Sequence, residues 1–214
     1  AALLTPEHCY QGDWTRVDPR VNWLTDLLQD IGDQKLLVIC AHADTVLSLR
    51  NALLKFKAIH AAVFHERMEI VERDRAAAFF ADEEKGSRLL ICSEIGSEGR
   101  NFQFAHHLVL FDLPLEPELL EQRIGRLDRI GQTDTVHIHL PYMVGSPGES
   151  LYRWYHQGLG AFESVSTTAG EVFQRYRKEL LGNLTRRSEL NSLIARAART
   201  SHQLGKEVEA GRDR

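Results

Sequence analysis

Leu36-Leu37-Val38-Ile39-Cys40-Ala41 is an unbroken apolar run, too short for a helix and typical of a strand covered on both faces. A strand buried on both faces implies helices packed on either side of a parallel sheet. The residues before the run agree. Asp18-Pro19 supplies an N-cap acceptor followed by proline at the first helical position, and Val21, Leu24, Leu27, Leu28 and Ile31 recur at helical spacing until Gly32 stops the helix.

Downstream the alternation repeats. A helix is expected near Asp44 to Lys55, a strand over Ala61 to Phe64, a helix from Glu69 to Ala81 and a strand over Arg88 to Cys92. His107 to Phe111 then reads as strand, Pro117 to Arg129 as helix and Val136 to Leu140 as strand. Strand and helix alternating through short connections predict an open, doubly wound parallel sheet flanked by helices, an α/β fold. Such sheets bind ligands beyond the carboxyl ends of their strands. Gly145-Ser146-Pro147-Gly148 marks a boundary, after which Leu151 to Val165, Val172 to Leu181 and Ser188 to Leu204 read as helices with no strand between them. The expected organisation is a lead-in over residues 1–17, a sheet domain over 18–144 and a helical appendage over 145–214.

Bulk composition bounds the function. With 214 residues, 43% of them hydrophobic, the chain can bury a core. No stretch approaches a membrane span and Ala1 to Tyr10 has no signal-peptide pattern, so a soluble cytoplasmic protein is expected. Cys40 and Cys92 sit in strand-like runs and Cys9 is alone, which argues against a disulfide framework. The ten histidines lack cysteine or carboxylate partners at ligand spacing, so no metal site is expected. A net charge of −4 excludes nucleic-acid binding by bulk charge, and any such contact must be local.

One segment carries chemistry. On a helical wheel with Gln122 at zero and about 100° per residue, Arg126 falls near 40° and Arg129 near −20°, with Gly125 beside them. Leu120, Ile124 and Leu127 cluster opposite, so the helix would dock on the core while presenting an amide and two guanidiniums. Paired guanidiniums suit an anion with several oxygens, phosphate above all. The plainer reading has Arg123, Arg126 and Arg129 pairing with Glu121, Asp128 and other carboxylates on a wet helix.

These residues carry a resemblance. Gln122 to Gln132, QRIGRLDRIGQ, resembles motif VI of superfamily-two helicases, and its Arg-Ile-Gly-Gln ending is similar to the Swi/Snf branch of translocases. Ser93 to Phe102, SEIGSEGRNF, resembles motif V, and Leu37 to His42 sits where motif IV would lie. His65-Glu66, Glu72 to Ala78 and Ser93 to Ala105 are similar to the bacterial RNA-polymerase-associated members of that branch. The resemblance implies a RecA-like second helicase lobe, with Arg126 and Arg129 as arginine fingers toward ATP and Gln122 orienting phosphate or water. It implies that Gly99, Asn101 and Gly125 sit near the nucleotide, and that Ser93, Glu94, His42, His65 and Arg67 face nucleic acid. Glu94, Glu98 and Arg100 depart from the neutral or apolar residues usual in motif V, and Arg67 replaces an expected glycine.

The sequence holds no Gly-x-x-x-x-Gly-Lys-Ser/Thr loop to cradle phosphates, and Asp82-Glu83-Glu84-Lys85 follows a helical stretch rather than the strand a magnesium motif requires. By resemblance, ATP and Mg would be held mainly by a first helicase lobe of the same full-length chain. The implied partners are that lobe, double-stranded DNA or a DNA/RNA hybrid, and RNA polymerase, and the chain alone is expected to be inactive. The alternatives are a non-catalytic adaptor that keeps the lobe fold, and a strand-separating RNA helicase.

Overall fold

The computed structural model describes residues 4–94, 101–128, 134–163 and 166–212. The chain divides into two compact units, one formed by Ala1–Asp112 with Arg123–Pro141, the other by Leu113–Gln122 with Tyr142–Arg214.

The first unit holds five parallel strands, β1 Leu36–Cys40, β2 Ala62–Phe64, β3 Leu89–Ser93, β4 His107–Leu110 and β5 His137–His139, in the order β2-β3-β1-β4-β5. Every residue of β1 is buried, as the opening apolar run requires, because β3 and β4 flank it and helices cover its faces. Helices α1 Pro19–Asp30 and α2 Ala43–Lys57 contribute Leu24, Leu28, Val46, Leu49 and Leu53 to a core shared with Leu36, Val38, Cys40, Leu89, Ile91, Val109 and Phe111. Asp18 caps α1, its carboxylate accepting from Arg20 N at 2.9 Å, and Gly32 ends the segment at φ +61°. Helix α3 Ile70–Ala81 opens with a capping box between Glu69 and Glu72. At its far end the Asp82 carboxylate accepts from Glu84 N and Lys85 N, so the acidic run is a helix end in solvent.

The lead-in packs into this unit. The Glu7 side chain is only 1% exposed and meets the Arg20 guanidinium at 2.9 Å. Arg20 also grips Asp18 and the Phe111 carbonyl, and its guanidinium lies 4.3 Å from the centroid of the Phe111 ring.

Helix α4 runs over Pro117–Ile124, five residues short of the Arg129 expected from periodicity. At Gly125 the chain tightens into a turn, with Arg126 N bonding Arg123 O at 3.3 Å and Leu127 N bonding Ile124 O at 3.0 Å. These i to i+3 bonds replace the α-helical pattern, so a wheel drawn from Gln122 loses its phase after Ile124.

In the second unit α5 Pro147–Arg153 passes into a π-helical turn over Trp154–Leu159, stopped by Gly160 at φ +64°. One helix was expected across this region, and the left-handed glycine divides it. Helices α6 Ala169–Asn183 and α7 Arg187–Arg212 follow. Trp154, Tyr155, Val172, Phe173, Leu180, Leu193 and Ala197 are buried, and Tyr155 Oη donates to the carbonyls of Pro114 and Leu115 at 2.8 and 2.9 Å.

Candidate functional site at the carboxyl ends of the strands

Three strands end at one rim. Phe111 N bonds Ile39 O at 3.0 Å, Glu94 N bonds Cys40 O at 3.0 Å, and Ala41 N donates to the Asp112 carboxylate at 2.7 Å. The backbone just past β1, β3 and β4 is thereby tied together where a doubly wound sheet offers its ligand crevice.

Arg123 closes the rim. Its side chain is 2% exposed; Nε donates to Glu94 Oε1 at 3.0 Å, and Nη1 donates to Asp112 O at 2.6 Å and to Asp112 Oδ1 at 3.1 Å. Burial works against the guanidinium's charge, but Asp112 and Glu94 outweigh it and raise its proton affinity. Nη2 is buried with no hydrogen-bond partner among the described residues.

The turn that follows presents Arg126, which is 8% exposed. Its carbonyl accepts from Phe102 N at 2.9 Å, so the turn is bonded to the chain just beyond Asn101. Asn101 forms a local turn, its side chain accepting from Gln103 N and donating to Gln103 Oε1. Gly125 sits half-buried between Ile124 and Arg126.

At the neighbouring strand ends, Ser93 is fully buried and donates to Glu66 Oε2 at 2.5 Å. Burial raises the Glu66 pKa, and the Ser93 hydroxyl with other hydrogen bonds and nearby cations more than reverses this, leaving it lowered. His65 is buried beside Glu66, its pKa pushed down by burial, and its Nδ1 has no hydrogen-bond partner among the described residues. Arg67 is exposed and meets both oxygens of Asp44, at 2.7 and 3.2 Å. His42 is exposed at the start of α2, with its ring edge-on to His8 at 4.7 Å.

The expected residues therefore separate. Ser93, Glu94, Asn101, Gly125 and Arg126 belong to bonded segments on one rim, joined to His65 through the Ser93–Glu66 contact. Gln122 is exposed and falls in the second unit, so it does not share a helix face with Arg126, as the shortened α4 requires. Arg129 and Gly99 lie outside the described residues. The Glu94 carboxylate is engaged by Arg123, and Arg67 by Asp44. Periodicity missed Arg123 and Asp112. The signal was present, since Leu120, Arg123 and Leu127 form one buried stripe, and an arginine in such a stripe needs carboxylates. Among the described residues no group of three or more His, Cys, Asp or Glu could hold a metal ion, and no helix is long and apolar enough to cross a membrane.

Residues 19–131, over half the chain, match the family described as the helicase conserved C-terminal domain. The chain belongs to that family. Behind this helicase C-terminal domain, residues 135–214 match the RNA polymerase recycling family C-terminal region. The chain is 52% identical over 223 residues to the RNA polymerase-associated protein RapA of Pseudomonas putida, a match covering all of this chain and 24% of that protein. The chain thus spans about a quarter of the length of this curated relative. Among solved structures, the C-terminal part of the Fun30 ATPase domain matches with a TM-score of 0.59 at 18% identity, covering 82% of this chain and 56% of that one. The Sulfolobus solfataricus SWI2/SNF2 ATPase core in complex with dsDNA matches with a TM-score of 0.55 at 20% identity, covering 78% and 34%. Both share the RecA-like lobe fold.

Proposed function

We propose that this chain is the second motor lobe of an ATP-dependent translocase that moves on double-stranded DNA and remodels or recycles RNA polymerase. The observation that carries the reading is Arg126, held on a bonded turn at the carboxyl-end rim of a helicase C-terminal domain. The likeness to RNA polymerase-associated RapA proteins supports the polymerase as partner, and the match to a SWI2/SNF2 core in complex with dsDNA is consistent with duplex DNA as track.

The donor set fits half of a nucleotide site. Arg126 offers a charged, planar fork to phosphate oxygens, while the sequence supplies no phosphate-cradling loop. ATP and its Mg would be held mainly by a first lobe, and the bound nucleotide supplies the cleavable phosphoanhydride. Arg126, with Arg129, would then stabilise charge that develops on the transferred phosphoryl group, as preorganised cationic donors do. Gln122 would orient water or phosphate. Ser93, His42, His65 and Arg67 would line the nucleic-acid side, and the protein would work in the bacterial cytoplasm.

In the full-length protein, Arg126→Ala should lower DNA-stimulated ATP hydrolysis by about 10³, the low end for loss of an arginine finger. Unchanged turnover would favour a non-catalytic adaptor that keeps the lobe fold.

A further inference from the structure

The chain from Ser93 to Phe102 is fastened at both ends to the same short segment. At its start Glu94 meets Arg123 Nε at 3.0 Å, and at its end Phe102 N donates to Arg126 O at 2.9 Å. The two fastenings lie three residues apart on one turn, while the segment they bracket spans the motif V-like sequence. Asp112 completes the clamp, since Arg123 Nη1 holds both its carbonyl and its carboxylate, and that carboxylate holds Ala41 N at the end of the central strand. All of these groups lie within the first unit.

We infer that Arg123 is a positioning residue that couples nucleic-acid occupancy at the Ser93–Phe102 segment to the placement of Arg126. The inference rests on the proposed motor function, and it gives Glu94 the task of holding Arg123 in place of touching nucleic acid. Arg123 is suited to the task because a guanidinium can hold two carboxylates and a carbonyl in one plane, whereas lysine offers a single point charge. A shift of the Glu94 end of the segment pulls on the guanidinium two residues before Gly125, and tight packing passes such shifts on. A misplacement of about 1 Å at a catalytic group is enough to cost a large factor in rate.

Replacing Arg123 outright would strand Asp112 in the interior and could unfold the lobe, so the informative variant is Glu94→Gln. It removes the charge at the exposed end of the clamp and leaves Arg123 with Asp112. In the full-length protein, DNA-stimulated kcat for ATP should fall about tenfold, within the usual range of coupling between sites. The KM for ATP and the affinity for duplex DNA, measured by fluorescence anisotropy, should hold. An unchanged kcat would overturn the inference, as would tighter duplex binding on loss of the carboxylate, which would return Glu94 to the nucleic-acid interface. A fall in kcat matched by an equal fall in folded fraction on thermal melting would also overturn it. Failure of the motor reading looks different, because the unaltered full-length protein would then show no DNA-stimulated hydrolysis at all.

Discussion

Arg20 and Arg123 are both buried arginines held by two carboxylates and a backbone carbonyl, and the carbonyls belong to adjacent residues, Phe111 and Asp112. They differ in what they join. Arg20 binds the lead-in to the first helix, through Glu7 and Asp18, and each of its three nitrogens has a hydrogen-bond partner. Arg123 joins the ends of β3 and β4 beside the turn carrying Arg126, and its Nη2 is left over. The contrast separates a closed lock, whose partners are all structural, from a clamp set next to a candidate catalytic group. Burying a charge costs several kcal/mol unless partners compensate, so both sites hold only as complete sets.

The largest expected effect breaks the lock. Arg20→Ala leaves Glu7 charged and buried, and should cost about 3–5 kcal/mol of stability, read as a lower urea midpoint with little change in slope. A loss under about 1 kcal/mol would mean that the lead-in does not depend on this pair. Because Arg20 lies outside the clamp, whatever turnover survives in the folded full-length protein should keep its DNA stimulation, unlike the Glu94→Gln variant.

A smaller effect comes from the opposite side of the sheet unit, where polar groups are buried without an ionic partner. His107 Nδ1 and His139 Nε2 are 2.9 Å apart, and the His107 ring stacks on both His137 and His139. Burial, with His107 and His137 nearby, lowers the His139 pKa to about 4, and burial with His137 and His106 nearby also lowers that of His107. An unfolded histidine titrates near 6.5, so between about pH 6.5 and pH 4 the unfolded chain binds protons that the folded chain refuses. Stability should therefore fall as pH drops through that window. Thermal melting at pH 7.5 and pH 5 should show a drop of a few degrees, and His139→Gln should reduce it. An equal drop in the variant would assign the acid sensitivity to other groups.

The smallest effect tests exposure itself. Arg67 grips Asp44 with two hydrogen bonds, yet both side chains are more than half exposed. Arg67→Gln should leave the melting temperature unchanged, since water and salt screen such pairs. If Arg67 faces nucleic acid, the same change should weaken duplex binding and lower its salt dependence by about one unit of slope.

Strands and topology were legible in the sequence because a strand buried on both faces must be apolar throughout, and β1, β3 and β4 are. Helix starts were legible where a side chain caps them, as Asp18 does. The candidate site was only half legible. Its location beyond the strand ends follows from the fold, but its geometry does not follow from helical phase, because α4 stops at Ile124 and Arg126 sits on a turn. Arg123 escaped notice for a different reason. Its carboxylate partners lie 11 and 29 residues away, on strand ends that only the folded sheet brings near.

The position of β1 also bears on how the chain comes to exist. Leu36–Cys40 is made early but pairs only with Leu89–Ser93 and His107–Leu110, so about 70 further residues must be synthesised before both of its edges are covered. Until then five consecutive apolar residues with open hydrogen-bonding edges are available to other chains, the composition and geometry that favour cross-strand aggregation. Non-local pairing of this kind also slows folding. Nascent chains halted short of β4 would be clients for chaperones, and truncations ending there would collect in inclusion bodies.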